Sequence, residues 1–250
     1  MCLSNILKYF HNAIEGQELT IRIVDYLAQQ YKMNPKNTLF GFSTCPDEIN
    51  RTVTRFSSYY GEKQFHLGGL TGYPFTGKTG FSAFSHHAPE NDGNGNLIIL
   101  YAPHVGINSN GELGKVLRET QRHDSIACGS AISFLNKYSA LKNKGERYKP
   151  KDDILDTQQN YIEKMFLPYA DKILASKEPI KELVDVNYTI IESAVKDITK
   201  EIITNFKGKI ILIGGVIINT SLHNGYFDLR RFELLDNDYT SDLIGGLKKR

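Results

Sequence analysis

Lys209-Ile210-Ile211-Leu212-Ile213-Gly214-Gly215-Val216-Ile217-Ile218-Asn219 is the strongest strand signal in the chain. Its apolar character is continuous rather than alternating. That is the pattern of a strand buried on both faces, as in a sheet sandwiched between helices. Leu97-Ile98-Ile99-Leu100-Tyr101-Ala102-Pro103 forms a second apolar run, which ends at His104, and Leu39-Phe40-Gly41-Phe42-Ser43 reads as a short buried strand leading to Cys45.

Working outward, Leu3, Ile6, Leu7, Phe10 and Ile14, then Leu19, Ile23, Tyr26 and Leu27, fall at helical spacing and predict two amphipathic helices broken near Glu15-Gly16-Gln17. Pro46, Asp47 and Glu48 suit a helix start, and the pattern carries that helix through Val53 and Phe56 to about Tyr60. A glycine-rich stretch spans 66–84, and Asn91-Asp92-Gly93-Asn94-Gly95-Asn96 is a loop tip. Helices are expected from about Cys128 to Tyr138, over 155–175 and over 179–206, with a polar loop at 142–153. The fold class is therefore α/β: a single domain over 1–250 with a mostly parallel central sheet flanked by helices. Residues 1–37 would supply N-terminal helices, 38–141 the core bearing the candidate site, 142–208 a loop and C-terminal helices, and 209–250 the final strand and tail.

The 250 residues carry a formal charge of +2, from 30 basic and 28 acidic side chains that interleave, so no one-sided basic stripe marks a nucleic-acid surface. Lys248-Lys249-Arg250 reads as a solvated end. No segment approaches the ~18 uninterrupted apolar residues of a membrane span, and Met1 to Lys8 lacks the apolar core of a secretory signal. Cys2, Cys45 and Cys128 make an odd number of thiols in a long chain, which is no disulfide framework. A reducing, cytoplasmic setting is expected, or an organelle if a targeting segment has been removed.

Cys45, His104 and Cys128 carry the chemistry. Two thiolates and one imidazole leave a fourth position free, which is the arrangement of a catalytic zinc site. Cys45 stands where a strand hands over to a helix, and Cys128 lies in Ala127-Cys128-Gly129-Ser130-Ala131, where another helix should begin. A helix N-terminus lowers a thiol's pKa and favours the thiolate that zinc needs. Asp47 and Arg51 are four apart in the expected helix, within pairing range on one face. Arg51 would then hold Asp47, and Asp47 would orient a zinc-bound water or hydroxide. The plainer alternatives stay open on spacing alone: buried thiols that only pack, and a solvated helix ion pair worth ~0.3–0.5 kcal/mol.

Cys45-Pro46-Asp47-Glu48-Ile49-Asn50-Arg51, Leu67-Gly68-Gly69-Leu70-Thr71-Gly72-Tyr73-Pro74-Phe75, Gly77-Lys78-Thr79-Gly80-Phe81, Pro103-His104-Val105-Gly106, Ala127-Cys128-Gly129 and Gly214-Gly215-Val216-Ile217-Ile218-Asn219-Thr220 together resemble the limiting-CO2-inducible B/C family of β-type carbonic anhydrases. The resemblance implies a β-carbonic-anhydrase-like fold, Zn2+ held by Cys45, His104 and Cys128, and an Asp47–Arg51 dyad. It also implies a homodimer that interconverts CO2 and bicarbonate. In ordinary β-carbonic anhydrases the histidine and second cysteine are close neighbours in sequence; here they lie 24 positions apart. Members need not all be active, so a non-catalytic zinc protein that responds to bicarbonate or acts as a scaffold is the alternative.

Gly72-Tyr73-Pro74-Phe75-Thr76-Gly77-Lys78-Thr79 matches the phosphate-loop pattern letter for letter, which would make the chain a nucleotide-binding enzyme. Pro74 lacks an amide for the phosphate cradle, so a loop packed over the pocket is the preferred reading. Phe75 and Phe81 would line an apolar recess or pack in the core. His86-His87 reads as surface, His66 and His123 as candidate proton carriers, and His11 and His223 have no informative context.

Overall fold

A computed structural model describes residues 3–51, 53–61, 64–90, 95–221, 225–236 and 239–247. Cys2, His223, most of the loop tip at 91–96 and the basic tail at 248–250 lie outside them. The chain begins with α1 (Leu3–Leu7), β1 (Ala13–Glu15), α2 (Gly16–Tyr31), β2 (Thr38–Thr44), α3 (Phe56–Tyr60), β3 (Phe65–His66) and α4 (Gly77–His86). β4 (Asn96–Ala102), β5 (His104–Ile107), β6 (Lys115–Val116), β7 (Ser125–Ile126) and α5 (Gly129–Asn143) follow. Then come α6 (Thr157–Phe166), α7 (Ala170–Ala175), α8 (Pro179–Ile203), β8 (Ile210–Thr220), β9 (Tyr226–Asp236), β10 (Tyr239–Asp242) and α9 (Ile244–Leu247).

β8 is the spine of the sheet. Its residues are buried without interruption from Ile210 to Asn219. The strand order is β1-β9-β8-β4-β2-β3, with β10 also on β9 and β5 also on β8. β3, β2, β4, β5 and β8 run parallel, whereas β9 is antiparallel to β8, and β1 and β10 are antiparallel to β9. Successive side chains of β8 point to opposite faces. Ile210, Leu212, Val216 and Ile218 pack with Tyr188, Ile191 and Val195 of α8; Ile211, Ile213 and Ile217 pack with Leu19, Ile23 and Leu27 of α2. The single α/β domain is thus a mostly parallel sheet with helices on both faces. A third apolar cluster joins α5, α6 and α7 through Phe134, Ile162, Phe166 and Ile173, and includes Cys45 and Cys128.

Three local expectations give way to tertiary contacts. Residues 13–15 join the sheet instead of a helix, because β9 offers an open edge that pairs Ala13 with Asp228 and Glu15 with Tyr226. The expected helix from Pro46 to Tyr60 is replaced by a 3-10 turn at Glu48–Asn50 and the short α3. Side-chain amides hold that turn: Asn50 Nδ2 donates to the Cys45 carbonyl, and Asn219 Nδ2 donates to the Ile49 carbonyl. Beyond Asn219 the chain returns as β9 and β10 rather than trailing off.

The ends of β2 and β4 are pinned by the 3-10 turn at Leu70–Gly72. Ser43 Oγ donates to the Gly72 carbonyl at 2.9 Å. Gly72 has φ +91°, and a Cβ there would sit 2.4 Å from the Ala102 carbonyl oxygen. Gly72→Ala should therefore destabilise the fold by about 1–3 kcal/mol, read as a lower urea midpoint; an unchanged midpoint would show that this turn does not clamp the strand ends.

Candidate metal centre

Cys45 follows β2 directly. His104 opens β5, separated from the end of β4 by Pro103 alone, and Cys128 caps the N-terminus of α5. Cys45 and His104 therefore lie beyond the carboxyl ends of the parallel strands β2 and β4, where open α/β sheets place their sites, and the start of α5 brings Cys128 to them. One ligand atom from each lies within 4.8 Å of the others. The residues are 7%, 2% and 4% exposed.

The donor set fits a metal ion. His104 Nε2 is buried without a hydrogen-bond partner, a costly state for a polar atom unless something else engages it. His104 Nδ1 is 2.9 Å from Asn219 Oδ1. Of the two thiols, Cys128 is the acid: its pKa is lowered by the hydrogen bond with Cys45, against the cost of burial, and by the amides of Ala131 and Ser130. The helix-terminus effect expected for both cysteines thus operates at Cys128. Cys45 precedes no α-helix; sharing a proton with Cys128, together with burial, raises its pKa. Two sulfurs and an imidazole are soft-to-borderline donors, a set that suits zinc.

Asp47 stands over this group, with Oδ2 3.9 Å from His104 Nε2. Its partner is Arg118, not Arg51. Arg118 Nη1 donates to Oδ1 at 2.7 Å and Nη2 to Oδ2 at 3.0 Å, a two-bond fork. Arg118 Nε donates to Ser125 Oγ at 2.8 Å, and Nη1 also reaches Glu48. Burial pushes the Asp47 carboxyl up, but the Arg118 hydrogen bonds outweigh it and hold it below the usual carboxylate range. The expected pairing with Arg51 required a continuous helix, which the 3-10 turn interrupts. Arg51 is exposed and lines a cavity of about 520 Å³ that it shares with Cys45 and Asp47. Nothing in the linear spacing pointed to Arg118, because the β6–β7 ribbon carries it back across 71 positions.

With this geometry in place, comparison with known proteins decides the family. The profile of the limiting CO2-inducible proteins B/C β-carbonic anhydrases matches residues 13–236. The chain belongs to this family. The crystal structure of PtLCIB4, a homolog of the limiting CO2-inducible protein LCIB, is 30% identical with a TM-score of 0.86, over 96% of this chain and 99% of that one. The crystal structure of LCIB itself is 17% identical with a TM-score of 0.74, over 97% and 98%, a likeness of fold. No curated protein sequence matches the chain.

Other sequence candidates sort themselves around this member's site. In the phosphate-loop look-alike, the amides of Gly72, Tyr73, Phe75, Thr76 and Gly77 are bonded to carbonyls of the chain itself, and Lys78 pairs with Glu201. The loop amides of a phosphate cradle are thus already engaged by the chain itself. Phe81 is core, and Phe75 packs against the helical cluster. His86, His87 and His123 are exposed. His66 lines the 520 Å³ cavity, its ring 4.3 Å from that of Phe42. No helix among the described residues is long and apolar enough to cross a membrane.

Beneath Cys128, α5 is tied to α6 by the buried Glu163, which accepts from Lys137 at 3.0 Å and from Gln159 at 3.1 Å. Burial raises its pKa, but the hydrogen bonds from Tyr148, Gln159 and Lys137 win and lower it. A depressed folded-state pKa contributes stability that is full above the unfolded value of ~4.3 and lost as pH falls through the folded value. The stability gap between wild type and Glu163→Gln, measured by urea denaturation, should therefore be constant near neutrality and shrink below about pH 4. A gap that widens on acidification would contradict this.

Proposed function

We propose that this chain interconverts CO2 and bicarbonate with a zinc ion held by Cys45, His104 and Cys128. The supporting observation is the convergence of two buried sulfurs and an unpartnered imidazole nitrogen directly below a carboxylate locked by arginine. Family membership supports the same reading. Zinc, when bound, would supply the polarisation that lowers the pKa of water from 15.7 to about 7.

The protein's own groups do the rest. Asp47 stays ionised, so near neutral pH it can only accept a hydrogen bond, here from the attacking water. The Arg118 fork fixes both its oxygens and restrains it from turning onto the metal. Asp47 and Arg118 thereby form the dyad that orients the nucleophile. Phe42, Leu100 and Ile217 give the adjoining cavity an apolar wall for CO2, and Arg51 gives it a cation for the departing bicarbonate. A homodimer and a cytoplasmic setting belong to the same proposal and rest on the family resemblance and the cysteine usage.

Metal analysis coupled to stopped-flow CO2 hydration tests this. Cys45→Ser, His104→Ala and Cys128→Ser should each lose zinc and hydration together. Arg118→Ala should keep zinc while turnover drops about 10–100-fold, and Arg51→Ala should lose less. Stoichiometric zinc with no hydration above buffer would instead mark a bicarbonate-responsive or scaffolding protein. Full turnover in Arg118→Ala would remove the dyad.

A further inference from the structure

Two asparagines connect the first cysteine of the site to its histidine. Asn50 Nδ2 donates to the Cys45 carbonyl at 3.1 Å. Asn219 Nδ2 donates to Asn50 Oδ1 at 3.1 Å and to the Ile49 carbonyl at 3.0 Å. Asn219 Oδ1 faces His104 Nδ1 at 2.9 Å. Asn50, His104 and Asn219 are 7%, 2% and 3% exposed, so water offers little relief for a misdirected amide.

The direction of every bond in this chain is determined. A backbone carbonyl can only accept. The Cys45 carbonyl therefore draws the NH2 of Asn50, which leaves Asn50 Oδ1 toward Asn219. That oxygen and the Ile49 carbonyl are two acceptors, and together they draw the NH2 of Asn219. Asn219 Oδ1 is then the atom left facing the imidazole. An oxygen with no hydrogen requires a donor opposite it, so His104 Nδ1 must carry the proton.

We infer that Asn219, oriented by Asn50 and the Ile49 carbonyl, is a positioning residue that holds His104 in the Nδ1–H tautomer and presents the Nε2 lone pair to a metal. Two backbone carbonyls on the segment that carries Cys45 thus select the donor atom of a ligand 59 residues away. The structure already shows the consequence, since Nε2 is the buried atom with no hydrogen-bond partner. Partners of this kind fix ring orientation in metal-binding histidines and are worth 10–100-fold in metal affinity. The inference deepens the proposed zinc site and rests on it for the metal's identity, but the tautomer itself can be read without a metal.

Two measurements on the full chain test it. Long-range 1H–15N correlation spectra of His104 should show the Nδ1–H form in wild type both before and after zinc loading. Competition with a chromophoric chelator gives zinc affinity. Asn219→Leu should lose the tautomer preference in the zinc-free protein and bind zinc about 10–100-fold more weakly. Asn219→Asp keeps an oxygen opposite Nδ1 but sets a second oxygen against the Ile49 and Asn50 carbonyl oxygens. It should lower the melting temperature yet retain the Nδ1–H form and bind zinc more tightly than Asn219→Leu. Asn50→Leu, which removes one of the two acceptors orienting Asn219, should fall between wild type and Asn219→Leu. An Nε2–H tautomer in zinc-free wild type would overturn the inference, and so would equal losses in the Leu and Asp variants. Wild type that holds no zinc would sink the proposed function while the tautomer reading still decides this point.

Discussion

The site depends on a break in one β-ladder. β8 gives its first half, Ile210–Gly214, to β4 and its last part, Ile217–Thr220, to β5. Pro103 stands between β4 and β5; it has no amide to donate, but its carbonyl accepts from Ile217 N at 2.9 Å. The ladder thus resumes on the same strand after a two-residue interruption, Ala102–Pro103 opposite Gly215–Val216. His104 then pairs in register with Ile217, and Asn219 lies two residues further along β8. Residues two apart on a strand share a face, and a diagonal neighbour lies within reach of a long side chain. The position of His104 against Asn219 is a property of the sheet, which is far stiffer than a loop.

The interval between His104 and Cys128 is more than a spacer. After β5 the chain turns at Asn108, a fully buried side chain whose Oδ1 accepts from the amides of Asn110 and Glu112. Its Nδ2 donates to Glu112 and Asp124 at 2.7 and 2.6 Å. One amide thereby ties both ends of the segment that forms the β6–β7 ribbon. Arg118 projects from the far end of that ribbon onto Asp47. A longer separation of the ligands in sequence is what allows the arginine to arrive from outside the cysteine motif.

Much of this was legible in the sequence, for identifiable reasons. β2, β4, β8, α5 and α8 are long or strongly apolar elements whose own pattern agrees with their tertiary role. Cys45, His104 and Cys128 were legible because thiols and an imidazole at the ends of apolar strands or at a helix start are few. β1 was misread because Ile14 extends a helical pattern that the β9 edge overrides. Arg118 was illegible because its partner is chosen by a ribbon of four strand residues with no periodicity to detect. Asn50 and Asn219 were visible as residues, but their function lies in bond direction, which only three-dimensional contacts define.

The choice between the two arginines shows which forces decide the site. An exposed Asp47–Arg51 pair on a helix would contribute only ~0.3–0.5 kcal/mol. It would also need Glu48, Ile49 and Asn50 to adopt helical geometry, with Asn50 and two β-branched residues, Ile49 and Val53, among poorer helix formers. Against this stand three amide hydrogen bonds from Asn50 and Asn219, each worth roughly 1 kcal/mol, which hold the 3-10 turn. Asp47 is 14% exposed at its side chain and Arg118 15%, so their two-bond fork is screened far less than a surface pair. The same amides that aim the histidine therefore prevent the helix, and by preventing it they leave Asp47 facing the ribbon. The ligand geometry and the identity of the arginine partner are consequences of one hydrogen-bonded turn.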